Sequence, residues 1–395
     1  MPNPEPHRGF DENEYKARTH GIQIGMAKHG LDGLLFCSEA EVRYFSGFHT
    51  PFWQSPTRPW FLFIPAQGKP IAIIPEIGAS LMRTTWIKDI RSWSAPYPAD
   101  DGVSLLRDLL HPLASKRSCL GVMKGHETAL RMPLGDWESL LKDLNGLEIK
   151  DVTNLVQTAR MIKSNAEIQK LKHICSIGSA TFSRLPEIIE PNMSLEEVFR
   201  AFRLEALQQG ADDVPYVVGG AEKGGYANVI SLPSKRPIKK GDVLMIDSGC
   251  VWDGYFCDFD RNWAIGNLDD QSRQVYDVLW RATEAGIEAA KPGKRACDIF
   301  LAMSQILCEL DVTSGDIGRL GHGLGMQLTE QPSVAYFDET ELQENMVLTL
   351  EPSISYGDGL MMVHEENVVV TKAGGLLLTK RAPEDMPILF SDFVS

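Results

Sequence analysis

The sequence predicts an α+β protein with two domains. Up to about residue 155, short apolar strands alternate with amphipathic helices, which is the pattern of a small α/β domain. From about residue 160, the order helix, helix, strand occurs twice, which indicates an internally duplicated domain. The chain has 395 residues, enough for two domains with their own cores. We therefore expect one domain over 1–155 and another over 160–395.

The composition excludes several classes of protein. With 43% hydrophobic and 23% charged residues, the chain has the make-up of an ordinary globular protein. Its net charge of −14 argues against nucleic acid or an anionic membrane surface as a partner. We find no apolar run of about 18 residues, so we expect no transmembrane helix. The first residues lack the basic and apolar regions of a signal peptide.

The cysteines indicate the compartment. The seven cysteines are odd in number and scattered without paired spacing. This usage favours free thiols in a reducing cytoplasm. We therefore expect a cytoplasmic protein.

The N-terminal elements follow from apolar periodicity and turn residues. A helix is expected from Asp11, a possible cap, to Lys28. Strands are expected at 34–37, 60–65, 71–74 and 119–122, and further helices at 103–114 and 134–144. The stretch 152–162 is expected to be a linker.

The segment 49–60 interrupts this pattern. Three prolines predict an irregular loop that also contains two tryptophans, a phenylalanine, a histidine and an arginine. Two interpretations stay open. The aromatic side chains pack on their own domain, or the loop forms a lid over a binding site.

The second domain begins with helices that carry clear start signals. Ser164 is a plausible cap for a long helix, and Ser194-Leu-Glu-Glu197 is a capping box for the next. Strands are expected at 212–220, 226–230 and 243–246. Two more helices are expected at 269–290 and 296–310.

A predicted hairpin, which precedes the helix expected at 269–290, brings two aspartates together. Asp247 lies at the end of an apolar strand, and Asp258 lies on the returning strand, 255–263. Between them, Trp252-Asp-Gly254 supplies the positive φ of a tight turn. Two buried carboxylates this close repel each other, and both stay ionised only with a cation between them. The hairpin therefore points to a metal.

Three further motifs extend this set. His322 lies in the glycine-rich stretch Gly-His-Gly-Leu-Gly, Glu351 ends an apolar strand, and Glu365 begins another. Four carboxylates with one imidazole suit two divalent ions such as manganese, cobalt, iron or zinc better than a structural zinc site. Metal pairs of this kind lie about 3.5–4 Å apart, activate a shared water and polarise the scissile carbonyl.

At this point the chain resembles the pita-bread metallohydrolases, which include proline dipeptidase, Xaa-Pro aminopeptidase, methionine aminopeptidase and creatinase. The five residues occur in the family's order, Asp, Asp, His, Glu, Glu, separated by 11, 64, 29 and 14 residues. The local contexts also match: Ile-Asp-Ser-Gly, Gly-Tyr-Phe-Cys-Asp, Gly-His-Gly-Leu-Gly, Leu-Glu-Pro and Glu-x-x-Val-Val-Val-Thr. The last pattern selects Glu365 over its neighbour Glu366.

The resemblance implies a creatinase-like N-terminal α/β domain followed by a pita-bread catalytic domain with internal pseudo-twofold duplication. It further implies two divalent metal ions, a dipeptide or other small-molecule substrate, and a homodimer. In such dimers the N-terminal domain of one subunit borders the active site of the other. If the loop is a lid, His49, Trp53 and Arg58 then contact the substrate.

Two family histidines are replaced in this chain. Ile230 stands where a histidine lies ahead of a proline, and Thr329 stands where a second histidine follows the metal histidine. In the peptidases these histidines shuttle protons and hold the substrate. The sequence around Thr329, together with 364–367 and 381–387, is similar to ectoine hydrolase and related small-molecule hydrolases.

Two acidic residues near the ligand motifs are further candidates. Asp260, which replaces a common threonine, shares a strand face with Asp258 and is expected to contact a cationic substrate, add a metal ligand or pair with Arg261. Glu330, next to the replaced histidine, is expected to contact substrate or act as a general base. His364 is expected to be structural.

These features predict a metal-dependent hydrolase that cleaves a C–N bond. Glu351 is expected to be both ligand and proton shuttle, taking a proton from water and passing it to the leaving nitrogen. The family default is an Xaa-Pro dipeptidase or aminopeptidase. A non-peptide hydrolase of the ectoine or creatinase type, a metal-dependent lyase on the same fold and a binding protein are the alternatives.

Overall fold

The computed structural model describes residues 5–55, 58–116, 118–310 and 318–392. Within these ranges the chain divides into two compact units, His7–Arg160 and the residues from Met161 onward. Across the same ranges, every helix is too short or too polar to cross a bilayer.

The N-terminal unit is built on a six-stranded mixed sheet. In chain order its elements are α1 (Glu12–His29), β1 (Gly33–Phe36), α2 (Glu39–Ser46), β2 (Phe61–Pro65), β3 (Ile71–Pro75), α3 (Glu76–Met82), β4 (Asp89–Trp93), α4 (Val103–Ala114), β5 (Cys119–Val122), α5 (Leu134–Asp143), β6 (Glu148–Asp151) and α6 (Thr153–Met161). The strand order is β4-β3-β2-β1-β5-β6. Leu106 and Leu110 of α4 pack on the sheet in one apolar core, as the α/β pattern predicts.

Two predictions for this unit need refinement. The expected linker at 152–162 is helical over most of its length, since it forms α6, and its Val156 is fully buried. The proline-rich loop contains a 3₁₀ turn at Pro51–Gln54 that begins at Thr50, whose hydroxyl accepts from the backbone N–H of Phe52. The loop's residues 56 and 57 lie outside the described residues.

The same loop holds the three predicted substrate contacts. The indole of Trp53 is only 7% exposed and its ring centroid lies 5.8 Å from that of Trp60, so it anchors the loop. Its contact with substrate stays a prediction. The Arg131 guanidinium donates to the carbonyls of Trp53, Ser55 and Arg58. His49 is exposed and Arg58 is half-buried, and their contact with substrate stays a prediction.

The C-terminal unit contains the remaining elements. In chain order these are α7 (Asn165–Ile188), α8 (Leu195–Gln208), β7 (Asp213–Lys223), β8 (Asp242–Trp252), β9 (Tyr255–Phe256), β10 (Phe259–Ile265), α9 (Asp270–Ala289), α10 (Ala296–Leu307), β11 (Gly321–Gly323), β12 (Glu330–Ser333), β13 (Val347–Leu350), β14 (Ser353–Tyr356), β15 (Leu360–Val363), β16 (Glu366–Thr371), β17 (Gly374–Leu377) and β18 (Ile388–Leu389).

Two sheets form the framework of this unit. One has the order β18-β10-β8-β7, with β9 paired to β8, and the other has the order β12-β11-β13-β16-β17. A helix pair precedes each sheet in the chain, so the predicted repetition of helix, helix, strand is present. A shared apolar core joins α9 and α10 to strands of both sheets.

Local sequence signals account for several boundaries here. Ser164 and Ser194 each form the predicted capping box, with the glutamate three residues later closing it. The expected strand at 226–230 is wrong. Tyr226 instead lies buried outside any strand and donates its hydroxyl to Asn262, 3.1 Å away.

Candidate metal centre

The aspartate hairpin forms as predicted, with one refinement. Its turn residues Asp253 and Gly254 have φ values of 44° and 67°, the left-handed region that an Asp-Gly hairpin turn requires. The returning strand is broken at Cys257 and Asp258. Across the strands, Asp247 of β8 pairs with Asp260 of β10. Ligand atoms of Asp258 and Asp247 lie within 4.8 Å of each other across the hairpin.

The backbone of Asp258 is fixed from the second sheet. Asn367 accepts a hydrogen bond from the N–H of Asp258 at 2.9 Å and donates to its carbonyl. The Thr349 hydroxyl donates to the same carbonyl at 2.7 Å. Asn367 and Thr349 are both fully buried. Strands β13 and β16 thus hold the aspartate at a set position.

The other three predicted residues come from the second sheet. His322 lies in β11, Glu351 directly follows β13, and Glu365 directly precedes β16. Gly323 permits the tight approach of β11 and β12, since a Cβ there would lie 2.2 Å from the carbonyl oxygen of Gln331. The pairing of β11 with β13 and of β13 with β16 places these three residues at one edge of the sheet.

The five predicted side chains meet in one cluster. Ligand atoms of Asp247, Asp258 and Glu365 all lie within 4.8 Å of one another. The Nε2 atom of His322 lies 3.3 Å from Oδ2 of Asp258 and 3.6 Å from Oε2 of Glu351. The side chain of Arg319 lies 3.4 Å from the other oxygen of Glu351.

The electrostatics of the cluster are unfavourable without a cation. Burial, and then the charges of neighbouring carboxylates, raise the pKa of Asp247 and of Glu365 well above the usual range. Burial likewise raises the pKa of Glu351. Burial lowers the pKa of His322, but the Asp258 hydrogen bond and the charges of Glu351 and Asp258 outweigh it, so the net shift is upward.

Two observations show that the donor set fits a metal. Among the described residues, the buried Oε2 atom of Glu365 has no hydrogen-bond partner. The Nδ1 atom of His322 lies 2.9 Å from the carbonyl oxygen of Gly323, which leaves Nε2 pointing to the carboxylates as a metal ligand does. Carboxylate oxygens with one imidazole are the donors that borderline divalent ions accept.

Tyr216 is a residue of the site that sequence reasoning missed. Its hydroxyl donates to Asp258 and lies 3.4 Å from Oδ1 of Asp247. Burial, and then the charges of the surrounding carboxylates, raise its pKa well above the usual range, so it stays a donor. Alternation along β7 does not distinguish this tyrosine from a core residue, so the sequence carried no signal for it. Asn367 was also missed, but the sequence did contain a signal for it, since it lies two residues after Glu365 on the same strand face.

Asp260 has a different role from the predicted substrate contact, which is corrected here. It is 1% exposed, and its two oxygens accept from the backbone N–H of Glu365 and from the Asn262 amide, both at 2.6 Å. Burial raises its pKa to about 8. The carboxyl group therefore positions Glu365. Arg261 contacts only the backbone carbonyl of Asp260.

Glu330 is also engaged elsewhere, which corrects its predicted catalytic role. One oxygen lies 2.9 Å from the buried Nζ of Lys163, and the other accepts from the N–H of Gln327 at 3.1 Å. A carboxylate neutralised by a buried ammonium is a poor general base. Next to the centre, His364 is buried with Nδ1 3.1 Å from the Thr283 hydroxyl, in line with its expected structural role.

Comparison with known proteins agrees with this architecture. Residues 18–162 match the creatinase/prolidase N-terminal domain, and residues 169–372, more than half of the chain, match metallopeptidase family M24. The chain is 27% identical over 373 residues to an Xaa-Pro dipeptidase of Pyrococcus horikoshii, covering 91% of this chain and 95% of that protein. It is 30% identical over 259 residues to an Xaa-Pro dipeptidase of Pyrococcus furiosus, covering 62% and 71%.

The solved structures show the same fold. Dipeptidase PepE from Mycobacterium ulcerans superposes with a TM-score of 0.83 at 24% identity, covering 96% of this chain and 99% of that one. The predicted creatinase-like N-terminal domain and pita-bread C-terminal domain are thereby confirmed. The chain belongs to metallopeptidase family M24 and is a metal-dependent hydrolase.

Proposed function

We propose that the chain is an Xaa-Pro dipeptidase whose two divalent ions are held by Asp247, Asp258, His322, Glu351 and Glu365. The observation that carries this proposal is the buried carboxylate cluster, in which an oxygen of Glu365 lacks a partner among the described residues. The Xaa-Pro dipeptidases that the chain resembles over most of its length supply the substrate class.

The donor set restricts the metal. All five side chains offer oxygen or a single imidazole nitrogen, and none offers a thiolate. Manganese, cobalt, iron and zinc are the ions that such a set accepts. When bound, a pair of these ions supplies charge that polarises the scissile carbonyl and makes water more acidic.

Proton transfer and the orientation of the ligands are assigned to residues of the chain. Glu351 is 20% exposed while Asp258 and His322 are nearly inaccessible, so of these three side chains it is the one best placed to exchange protons. Its raised pKa, caused by burial, suits a group that takes a proton from the attacking water and passes it to the leaving nitrogen. Tyr216 donates a hydrogen bond to Asp258 and keeps that carboxylate oriented.

A non-peptide C–N hydrolase is the second candidate, favoured by the two replaced histidines. Ile230 is 81% exposed and Thr329 is half-buried. Neither side chain exchanges a proton near neutral pH as histidine does. A substrate that needs no histidine for its leaving group, such as a cyclic amidine of the ectoine type, suits this arrangement.

Three finer features complete the proposal. His49 and Arg58 contact the substrate in a homodimer, an inference that rests on the family resemblance. The protein works in the cytoplasm, which agrees with seven cysteines that are all free thiols. Light scattering tests the dimer, and His49→Ala and Arg58→Ala test the substrate contacts through KM.

The deciding experiment compares substrates on one preparation. Purified protein is loaded with Mn²⁺, Co²⁺, Fe²⁺ or Zn²⁺ and assayed with Ala-Pro, Ala-Pro-Ala and ectoine. A dipeptidase cleaves Ala-Pro and leaves the tripeptide intact. Glu351→Gln removes the activity, and Glu344→Gln, which changes an exposed glutamate of the same unit, does not.

Other outcomes redirect the proposal. Hydrolysis of ectoine without cleavage of either peptide supports the second candidate. In that case, introducing histidine at both replaced positions, Ile230→His with Thr329→His, raises dipeptide cleavage if the missing histidines are the cause. Metal-independent cleavage of Ala-Pro by the wild-type protein contradicts both.

A further inference from the structure

A cavity of about 200 Å³ lies beside β10 and is lined by Arg261, Asn262 and Trp263 of that strand. Side chains alternate along a strand, so Asp260 faces the centre while Arg261 and Trp263 face away from it. Helices α7 and α9 and the segment at 380–387 complete the wall. We call this space the back cavity. It shares none of the proposed metal ligands.

The floor of the back cavity is aromatic. Phe182, Trp263 and Tyr276 line it and are all buried. The rings of Phe182 and Trp263 lie 6.0 Å apart. Flat aromatic walls accept a planar apolar body by stacking and edge contacts. Ligand pockets usually measure about 300–1,000 Å³, so a cavity of this size suits a molecule smaller than a drug.

The wall of the back cavity also carries three cations, Arg261, Lys380 and Arg381. The two arginines share one buried carboxylate, since the oxygens of Glu366 lie 3.1 Å from Arg261 and 3.4 Å from Arg381. Arg381 has a second partner in the half-exposed Glu284, 3.5 Å away. The two arginines therefore have two carboxylate partners, Glu366 and Glu284.

Lys380 supplies the uncompensated charge. It lies at the exposed mouth, and its ammonium donates to the Ser183 hydroxyl at 3.3 Å. Among the described residues, no carboxylate forms an ion pair with Lys380. The cavity therefore combines a free positive charge at its entrance with an aromatic interior.

We propose that the back cavity binds a small organic anion with one carboxylate and a planar apolar body. The carboxylate lies at the mouth, where Lys380 and the Ser183 hydroxyl contact it. The apolar body stacks on the aromatic floor. The site is separate from the proposed dipeptidase centre, and its ligand remains bound when metal is absent.

Benzoate is the probe for this proposal, and benzyl alcohol is the neutral control of similar shape. Each is titrated into metal-loaded and metal-free protein and followed by ligand-observed NMR. One benzoate binds per chain in both states, and benzyl alcohol binds at least about threefold more weakly because it lacks the charge. Loss of benzoate binding on metal removal overturns the proposal, since the metals would then be the binding site.

Two variants with matched controls locate the site. Ser183→Trp places a bulky ring at the exposed mouth and abolishes benzoate binding, while Ser183→Ala, which removes only the hydroxyl contact, weakens it by no more than about threefold. Lys380→Met weakens binding about threefold to fivefold, while Lys372→Met, at an 86% exposed position, has no effect. Benzoate affinity unchanged in both Ser183→Trp and Lys380→Met overturns the proposal. Absence of any benzoate binding to the wild-type protein overturns it too.

Discussion

Glu365 and Glu366 are neighbours in the chain, both are buried, and their surroundings are opposite. Glu365 is surrounded by four other carboxyl groups, those of Asp247, Asp258, Asp260 and Glu351, and one of its oxygens lacks a partner among the described residues. Glu366 faces two arginines and also accepts from the Ala382 N–H at 2.8 Å and from the Thr379 hydroxyl. One carboxylate is balanced by the fold, and the other requires a cation from outside.

The contrast extends to the two faces of the sheet around β10. On the front face, Asp247, Asp258 and Glu365 converge, and His322 is the nearest basic group. On the back face, three cations meet one buried carboxylate. Since a buried charge is tolerated only when it is balanced, the front face requires a divalent cation. On the back face the two arginines already have Glu366 and Glu284 as partners, and the charge without a carboxylate partner among the described residues is that of the exposed Lys380.

Asp258→Ala should have the largest effect. It removes a carboxylate that contacts both His322 and Tyr216, so the remaining donors no longer hold the metal pair. Loss of groups that merely orient ligands costs about 10–100-fold, so loss of a ligand should reduce kcat/KM by more than about a thousandfold. Kinetics and elemental analysis on one sample test this, and an active, metal-free variant would sink the assignment.

Glu366→Gln tests the carboxylate whose charge is balanced by two arginines. Removing the charge leaves Arg261 and Arg381 buried without their shared partner, so the free energy of unfolding should fall by about 3–5 kcal/mol. Metal binding by the folded variant should be retained. The control is Glu284→Gln, whose carboxylate is half-exposed, with an expected loss below about 1 kcal/mol. Equal losses in denaturant titrations of the two variants would argue against a structural role for Glu366.

The dependence of stability on pH tests the carboxylates of the metal centre, whose charges the fold does not balance. In the folded metal-free protein, the pKa values of Asp247 and Glu365 are raised. Between the pKa of a carboxyl group in the unfolded chain, about 4, and the raised pKa in the folded protein, the folded protein therefore binds more protons than the unfolded chain. Stability should therefore decrease as pH rises through that window. The cost is about 1.4 kcal/mol per group for each unit of pKa difference.

Glu365→Gln and added metal should each weaken this pH dependence. The glutamine removes one titrating group, and a cation removes the repulsion that raises the pKa values. Thermal unfolding at several pH values, with a chelator or with metal, gives the slopes. Equal slopes for the metal-free wild-type protein and the metal-free Glu365→Gln variant above about pH 4 would contradict the account.

Tyr216→Phe should have the smallest effect. The ring stays in place while the hydroxyl that contacts both aspartates is lost. We expect about a tenfold loss of metal affinity, as for other groups that orient ligands. Calorimetric titration of the metal-free variant measures it. An affinity equal to that of the wild-type protein would show that the tyrosine only fills space.

The sequence predicted the parts of the centre that lie in local motifs. The Asp-Gly turn between two strands brings Asp247 and Asp258 near each other, and the glycines around His322 mark a close backbone approach. The capping boxes at Ser164 and Ser194 fixed two helix starts in the same way.

Contacts between distant segments were not predictable in this way. Lys163 reaches Glu330 from 167 positions away, and Glu365 reaches Asp260 from 105. Both contacts changed the role of a residue whose type suggested catalysis or substrate binding. The helix α6 was not predicted because the sequence alone does not show which core its apolar residues pack into.

Metal content of three matched proteins tests the central claim most directly. Wild-type, Glu365→Gln and Glu366→Gln proteins are stripped, reloaded with Mn²⁺ and analysed for metal per folded chain. We predict about two ions in the wild type and in Glu366→Gln, and a clear loss in Glu365→Gln. Equal metal content in the two variants, or none in the wild type, would contradict the claim that unbalanced carboxylates mark the metal centre.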